Sequence, residues 1–470
     1  MGTRRTLRPE WRRKEVTHGA AGEALGRGRG ATRRRGLGVG TGVVPAVLLA
    51  ACAPGASQAP AASPARGPVT VRLATDWLEG PRGDTLKMAV PAFEQQHPEI
   101  KVAVEAITGD YFTVINTQIA AGTIQEVVLF EGNFFQSFKD QGAFTAIDQA
   151  LKQQKVSMAD HSVVPGIYQD QGKQYGMPFQ LVLSGWYYNV DLFEERGLKP
   201  PDERWTWDDV LAAAQALTRP ERGQYGIHVT NGDQFVWGPL LFSAGARWHN
   251  ADRTRTLLAD QGGSEAFQWV IDLIHRHRVS PAPGQVAEVR GAFGSPFLAG
   301  KVGMLPGAIS GSGGTVRNVA DRFRWDIMPT PKHPKTGKAT HVWNDQPHVL
   351  MNVAGKLGVT EQATSLIIFL AGEVVQGRVA VDRGSIPVLK KLQTGPEYLK
   401  PPPGNMKQIA ANLRDPDIQT PGSIKGWDEW RPAYVQALDK AFSGEESAPQ
   451  ALRNAVTAAD AVLARTGPQK

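Results

Sequence analysis

Gly300-Lys301 is the first place in this chain where residue type and spacing invite a reaction. A phosphate-binding loop needs a glycine five residues before its last glycine, and a hydroxyl residue after the lysine to bind Mg2+. Here Gly294 stands six residues before Gly300, and Val302 follows the lysine, so both requirements fail. There is no Gly-x-Ser-x-Gly elbow to expose a nucleophilic serine. The ten histidines are scattered. His275 and His277 are two apart, which puts them on different sides of a helix, and the sole cysteine, Cys52, is remote from both, so no metal set forms. No carboxylate pair stands in a glycosidase context. Neither catalytic residues nor a metal or cofactor are therefore expected. What remains is recognition chemistry. Twelve tryptophans, with carboxylates and amides placed near strand ends, suit a ligand that has apolar faces and many hydroxyls.

The elements that must position such groups are those of an α/β chain. Residues 69–74 (VTVRLA) alternate apolar and polar and read as a first strand, with Asp76 and Trp77 just past its carboxyl end. Ligands of open α/β sheets bind at that end. Residues 85–97 carry a helical apolar stripe, 100–107 a second strand, 111–121 a helix, and 125–130 a third strand that ends in Glu131-Gly132-Asn133. This alternation predicts a parallel sheet. The apolar run from Phe179 to Tyr188, bounded by Gly and Pro, reads as a buried strand. Further strands are expected at 224–227 and 342–352, and helices at 265–277 and 442–463.

The segment around that buried strand has a recognisable order: Gly172-Lys173, Tyr175-Gly176, Pro178, Tyr187-Tyr188-Asn189, Asp191, Phe193, Gly197, Pro200-Pro201 and Thr206-Trp207. Downstream come Phe297, Gly300-Lys301 and Met304, then Trp325, Pro329 and Pro331, then Gly384 and Pro387. In this order the chain resembles the extracellular solute-binding proteins, family 1, the capture subunits of ATP-driven sugar importers. Each motif is weak alone; their shared order over the whole body carries the resemblance. One departure is Gln125-Glu126, where the family usually has Pro-Asp.

The resemblance implies an α/β, two-lobed periplasmic-binding-protein-like fold with a hinge of several crossing segments. Lobe 1 is expected over 69–178 plus 345–395, and lobe 2 over 179–344 plus 396–470. It implies a carbohydrate ligand held in the cleft by Asp76, Trp77, Glu131, Asn133 and Gln180 on one side. Asp233, Phe235, Trp237, Ser310, Trp427 and Trp430 would face them, with Trp343 and Asp345 at the second crossing. The implied partners are the transmembrane subunits of an ABC permease, and the implied state is a monomer. A Gly/Ser run at 307–314 resembles that of glycerol-phosphate binders of the same family, since exposed backbone N–H groups suit an anion. The competing reading is a secreted glycan or phosphoester hydrolase whose catalytic pair is assembled only in space.

The chain has 470 residues and a formal charge of +7, but the excess is local. Residues 1–51 hold eleven Arg or Lys against three Glu, a balance of +8 that leaves −1 for everything after them. That distribution argues against nucleic-acid binding. The basic stretch closes on Arg33-Arg34-Arg35. An uncharged apolar stretch follows, and then Leu49-Ala50-Ala51-Cys52. The pattern predicts a signal peptide over 1–51, a lipid anchor on Cys52, and a tether of Ala, Pro, Ser, Gly and Gln over 52–68. The expected location is extracytoplasmic, on a bacterial cell membrane, with the anchor as the only membrane contact.

Overall fold

The computed structural model describes residues 67–162, 167–292, 294–309, 312–420 and 424–467. The predicted signal peptide, Cys52 and most of the tether lie outside them, as does Ser310. The strands are β1 (Val69–Thr75), β2 (Ile100–Ala106), β3 (Val127–Leu129), a short hairpin of β4 (Gln169–Asp170) and β5 (Lys173–Gln174), β6 (Gly176–Asn189), β7 (Tyr225–Ile227), β8 (Val302–Ala308), β9 (Trp325–Met328) and β10 (Trp343–Leu350).

β1, β2 and β3 are parallel and are joined by helices α1 (Gly80–Gln96) and α2 (Tyr111–Ala121). Parallel neighbours need such crossovers, and the crossovers leave the strands' carboxyl ends on one edge. The departure at Gln125-Glu126 has a local use. The buried Glu126 carboxylate accepts the Arg72 backbone N–H at 2.7 Å and its Nε and Nη2 at 3.0 and 2.6 Å. Glu126 thus ties the entry of β3 to β1 by charge-assisted bonds.

The sheet runs β2-β1-β3-β10-β6-β8-β7, with β9 also on β6. β6 joins two halves. Its first part, Gly176 to Leu183, pairs with β10. Its second part, Ser184 to Asn189, pairs with β8 and β9. The partner changes between Leu183 and Ser184. There the Leu183 carbonyl accepts Ile309 N–H at 2.9 Å, while Ser184 N–H donates to the Val342 carbonyl at 2.7 Å and its Oγ accepts Val342 N–H at 2.8 Å. Nearly every residue of β6 is buried, which is why its sequence is an apolar run without alternation.

Two lobes result. On the first, the helices Thr360–Ala371 and Glu373–Asp382 pack on β6, β10 and α1. On the second, the helix Trp207–Leu217 packs on β7, and Gln261–His275 on the C-terminal helices. A capping box starts the Trp207 helix: Asp209 accepts from Thr206 N–H at 2.8 Å, and Thr206 Oγ1 accepts from Asp209 N–H at 3.5 Å. The helix expected at 442–463 is two helices, Trp427–Ser443 and Ala448–Thr466. Gly444 lies between them at φ 83°, a left-handed stop, and Pro449 opens the second helix.

Candidate functional site

The ends of β1 and β3 and the first turn of α2 build one wall of a cleft, and the helix Trp427–Ser443 builds the other. Asp110 caps α2 by accepting Thr113 N–H at 2.9 Å, which fixes Tyr111 and Phe112 in the first turn. Phe112 stacks on Phe134, ring centroids 3.4 Å apart and planes within 9°. The Tyr111 hydroxyl donates to the Leu129 carbonyl. Glu131 stands at the end of β3, before the 3-10 turn Gly132–Phe134. Gly132 is required for this approach, because a Cβ there would lie 1.6 Å from Ile167 Cγ2 and 3.0 Å from the Asp345 carbonyl. Asn344 Nδ2 lies 3.5 Å from Glu131 Oε1.

On the second lobe, Gly426 at φ 77° turns the chain into its helix, which presents Trp427, Asp428 and Arg431 on one face. Between the walls lies a cavity of about 290 Å3 lined by Phe112, Asn116, Glu131, Trp427, Asp428 and Arg431 among others. A second cavity of about 110 Å3 adjoins it, sharing Phe112 and Glu131 and adding Asp76, Tyr111 and Gln346. A larger hollow of about 620 Å3 lies between residues 155–161, 372–373 and 389–391 of the first lobe. Among the described residues no Phe, Tyr or Trp lines it; His161 does, with its ring nitrogens 3.0 and 3.3 Å from the Ser157 and Ala371 carbonyls.

Burial pushes the Glu131 carboxyl up to about 7; Arg431 opposes the rise, and Asp233 and Asp76 add to it. Burial also raises Asp428. Arg431 itself is held from behind. Its Nε and Nη2 donate to Asp233 at 2.9 and 2.7 Å, and the Tyr434 hydroxyl donates to the same carboxylate. Burial works against the Arg431 charge, but Asp233 outweighs it and the guanidinium pKa rises. The cleft therefore offers aromatic faces, carboxylates and a pre-oriented guanidinium.

Of the residues singled out from the sequence, Asp76, Glu131 and Trp427 line these cavities. The other described ones lie elsewhere. Trp77 is buried with its ring 4.6 Å from Phe179 and the Arg82 guanidinium over its face. Trp237 packs edge-on to Trp248 and Phe267, and its Nε1 donates to Asn231. Trp430 Nε1 donates to Thr256, and its ring meets Tyr434. Phe235 packs against the same second-lobe core, and Trp343 against its continuation at the start of β10. Large rings are used here mainly to fill volume. Asp233 is committed to Arg431 and Tyr434, and Asp345 accepts from the Tyr168 hydroxyl at 2.8 Å. Gln180 is buried opposite Gln346 on the paired strands β6 and β10. Asn133 is buried against Gln234.

The sequence reading did not single out Tyr111, Phe112, Phe134, Gln346, Asp428 or Arg431. The strand-end rule applied to β1 and β3 also applies after β2, where it points to Tyr111-Phe112. Asp428 and Arg431 were legible as neighbours of Trp427 on one helix face.

Comparison with known proteins follows the same line. An uncharacterized lipoprotein of Streptomyces antibioticus is 24% identical over 422 residues, covering 83% of this chain and 85% of its own. An ABC substrate-binding protein from Listeria monocytogenes, solved with cycloalternan, superposes with a TM-score of 0.73 at 20% identity, covering 85% of this chain and 99% of its own. A maltose-bound protein of T. maritima superposes at 0.68 with 16% identity, covering 83% and 98%. These likenesses share the two-lobed α/β architecture. The family model for bacterial extracellular solute-binding proteins matches residues 78–377, and the chain belongs to that family.

Proposed function

We propose that this protein captures an oligosaccharide in the cleft between its lobes and delivers it to the permease of an ABC importer. The observation that carries the reading is the interlobe cavity itself. Phe112 and Glu131 line it from the first lobe, and Arg431 and the almost fully buried Trp427 from the second. Rings take the C–H faces of a sugar, and charged groups take its hydroxyls. Relatives in structure hold cycloalternan and maltose, which supports a glycan as ligand. A phosphorylated ligand fits less well. Asp110, Glu131 and Asp428 line the cleft, and its cation, Arg431, is already neutralised by Asp233. The protein is a binding subunit on this reading, so it consumes no ligand.

The lobes on this proposal divide where β6 changes partner, and they close about β6 and β10. Ligand favours closure only through contacts that the open form lacks. Anchoring is through a lipid on Cys52, and the protein works as a monomer outside the cytoplasm.

A thermal-shift screen over malto-, manno- and cyclic oligosaccharides beside glycerol phosphates tests the ligand class, since a ligand of the folded state raises its melting point. Stabilisation by a glycan that is recovered unchanged supports the proposal. Stabilisation by phosphates alone, or product formation, overturns it. Labelling with radioactive palmitate that persists in Cys52→Ala would exclude the anchor.

A further inference from the structure

The cleft is short of positive charge and of hydrogen-bond donors. Asp110, Glu131 and Asp428 line its larger cavity, and Asp76 joins Glu131 on the smaller one. Among the described residues the cation that lines them is Arg431, and its Nε and Nη2 are taken by Asp233, which is 1% exposed. Arg82 does not make up the difference. It lines neither cavity: its guanidinium lies 5.2 Å from the Trp77 ring centroid, and its Nε donates to the Gly384 carbonyl at 3.2 Å. Two amides add acceptors. Gln346 lines the smaller cavity. Gln180, 2% exposed, is its register partner on β6, so both side chains leave the same face of the sheet. The Oε1 atoms of both are buried and have no hydrogen-bond partner. The Asn344 amide stands 3.5 Å from Glu131, beyond the usual hydrogen-bond length.

The acids register the missing counter-charge. Burial pushes the Glu131 carboxyl up to about 7 and raises Asp428 as well. A neutral sugar would deepen the imbalance. It displaces water from the carboxylates, and each of its hydroxyls brings two acceptor lone pairs with a single donor. An ammonium brings three donors, no acceptor and the missing charge. We propose that the ligand is a cationic glycan, an oligosaccharide whose protonated amine sits in the smaller cavity among Asp76, Glu131 and Gln346, with its sugar rings along Phe112. This rests on the cleft being the glycan site and states which glycans that site takes. Glu131, shared by both cavities, and Asp76 set the preference for an amine over a hydroxyl.

The test is calorimetry on the full chain with sugars matched in shape and unmatched in charge. Cello-oligosaccharides, glucosamine oligomers and N-acetylglucosamine oligomers share one backbone and differ only in the group on the second carbon: hydroxyl, amine or acetamide. Malto- and manno-oligosaccharides complete the panel. At a slightly acidic pH, where the sugar amine is protonated, the glucosamine oligomers should bind about tenfold tighter than the hydroxyl and acetamide forms. Added salt should narrow the gap. Glu131→Gln keeps the shape of the wall and should cut the amine-to-hydroxyl ratio about tenfold. Asp76→Asn should cut it in the same direction. A residue that only shaped the wall would move all three forms together and leave the ratio where it was. A neutral glycan that binds as tightly as any amine-bearing one overturns the proposal and leaves the oligosaccharide reading standing. So does a ratio unmoved in both Glu131→Gln and Asp76→Asn. Binding of no glycan in the panel, charged or neutral, counts against the oligosaccharide reading itself, and the proposal falls with it.

Discussion

The two walls of the cleft differ in how much of their chemistry is already used. On the first lobe, Glu131 and Asp76 stand at strand ends, and the nearest side-chain partner of Glu131 is an amide 3.5 Å away. On the second lobe, the guanidinium of Arg431 is clamped by Asp233, and Asp233 is buried with Tyr434 closing it off. The first wall therefore has acceptors to give to a ligand. The second has a positioned cation whose charge is spent within the protein. The same contrast holds for rings. Phe112 is half-buried and borders the cavity, while Trp237, Trp248 and Trp430 are interlocked in the second-lobe core. A ring or charge serves a ligand here only where the fold has left it a free face.

The strongest way to break that contrast is Trp237→Ala. If the ring is core and not cleft, the substitution should cost about 3–5 kcal/mol of stability. Equilibrium denaturation would read this as early unfolding of the second lobe; a stable variant with weakened binding would instead put Trp237 on the wall. Next in size is Asp233→Ala, which leaves Arg431 without its partner and Tyr434 without its acceptor. Its expected cost is about 3 kcal/mol, the usual scale for breaking a buried pair from one side. Melting should show the loss, and Asp233→Ala combined with Arg431→Met should recover part of it, because the stranded charge is then gone.

Glu131 gives a pH-dependent effect with a definite sign. Its carboxyl pKa is raised to about 7 in the folded protein, so between the ordinary carboxylate value and 7 the folded state holds a proton that the unfolded state has lost. Stability should therefore fall as pH rises through that window. Glu131→Gln should be stabilising by about 2 kcal/mol at pH 8 and close to neutral at pH 4. His348 provides the opposite slope as a control. It is buried, and its pKa is lowered to about 3 by that burial, so its contribution is lost as pH falls below the ordinary histidine value. Paired melts of Glu131→Gln and His348→Phe across pH 4–8 would sharpen the comparison, and parallel slopes would contradict it. The smallest effect on the fold is expected from Phe112→Ala. The ring sits at the surface of the cleft, so stability should change by about 1 kcal/mol or less, while glycan affinity measured by calorimetry should drop about tenfold. Undiminished affinity would remove Phe112 from the site.

The sequence by itself determined the class of fold. Period-two strands alternating with helical stripes give the parallel part of the sheet, β1 to β3, and the apolar run 179–188 gives a strand buried on both faces, because local pattern records which faces meet water. It also put Asp76 and Glu131 just past the carboxyl ends of β1 and β3, since strand ends are local features. Tertiary structure decided the rest. Trp77, Trp237 and Trp430 have the same composition as cleft residues, and only the packing of Phe179, Trp248 and Tyr434 around them consigned them to the interior. The exchange of partners at Leu183 and Ser184 depends on Val342 and Ile309, more than a hundred residues downstream. Arg431 became the cleft's cation because Asp233, 198 residues earlier, reaches it from another element. Pairings of this kind carry no local signal: side-chain type states what a group can bind, and only the folded neighbourhood states whether that capacity has already been used.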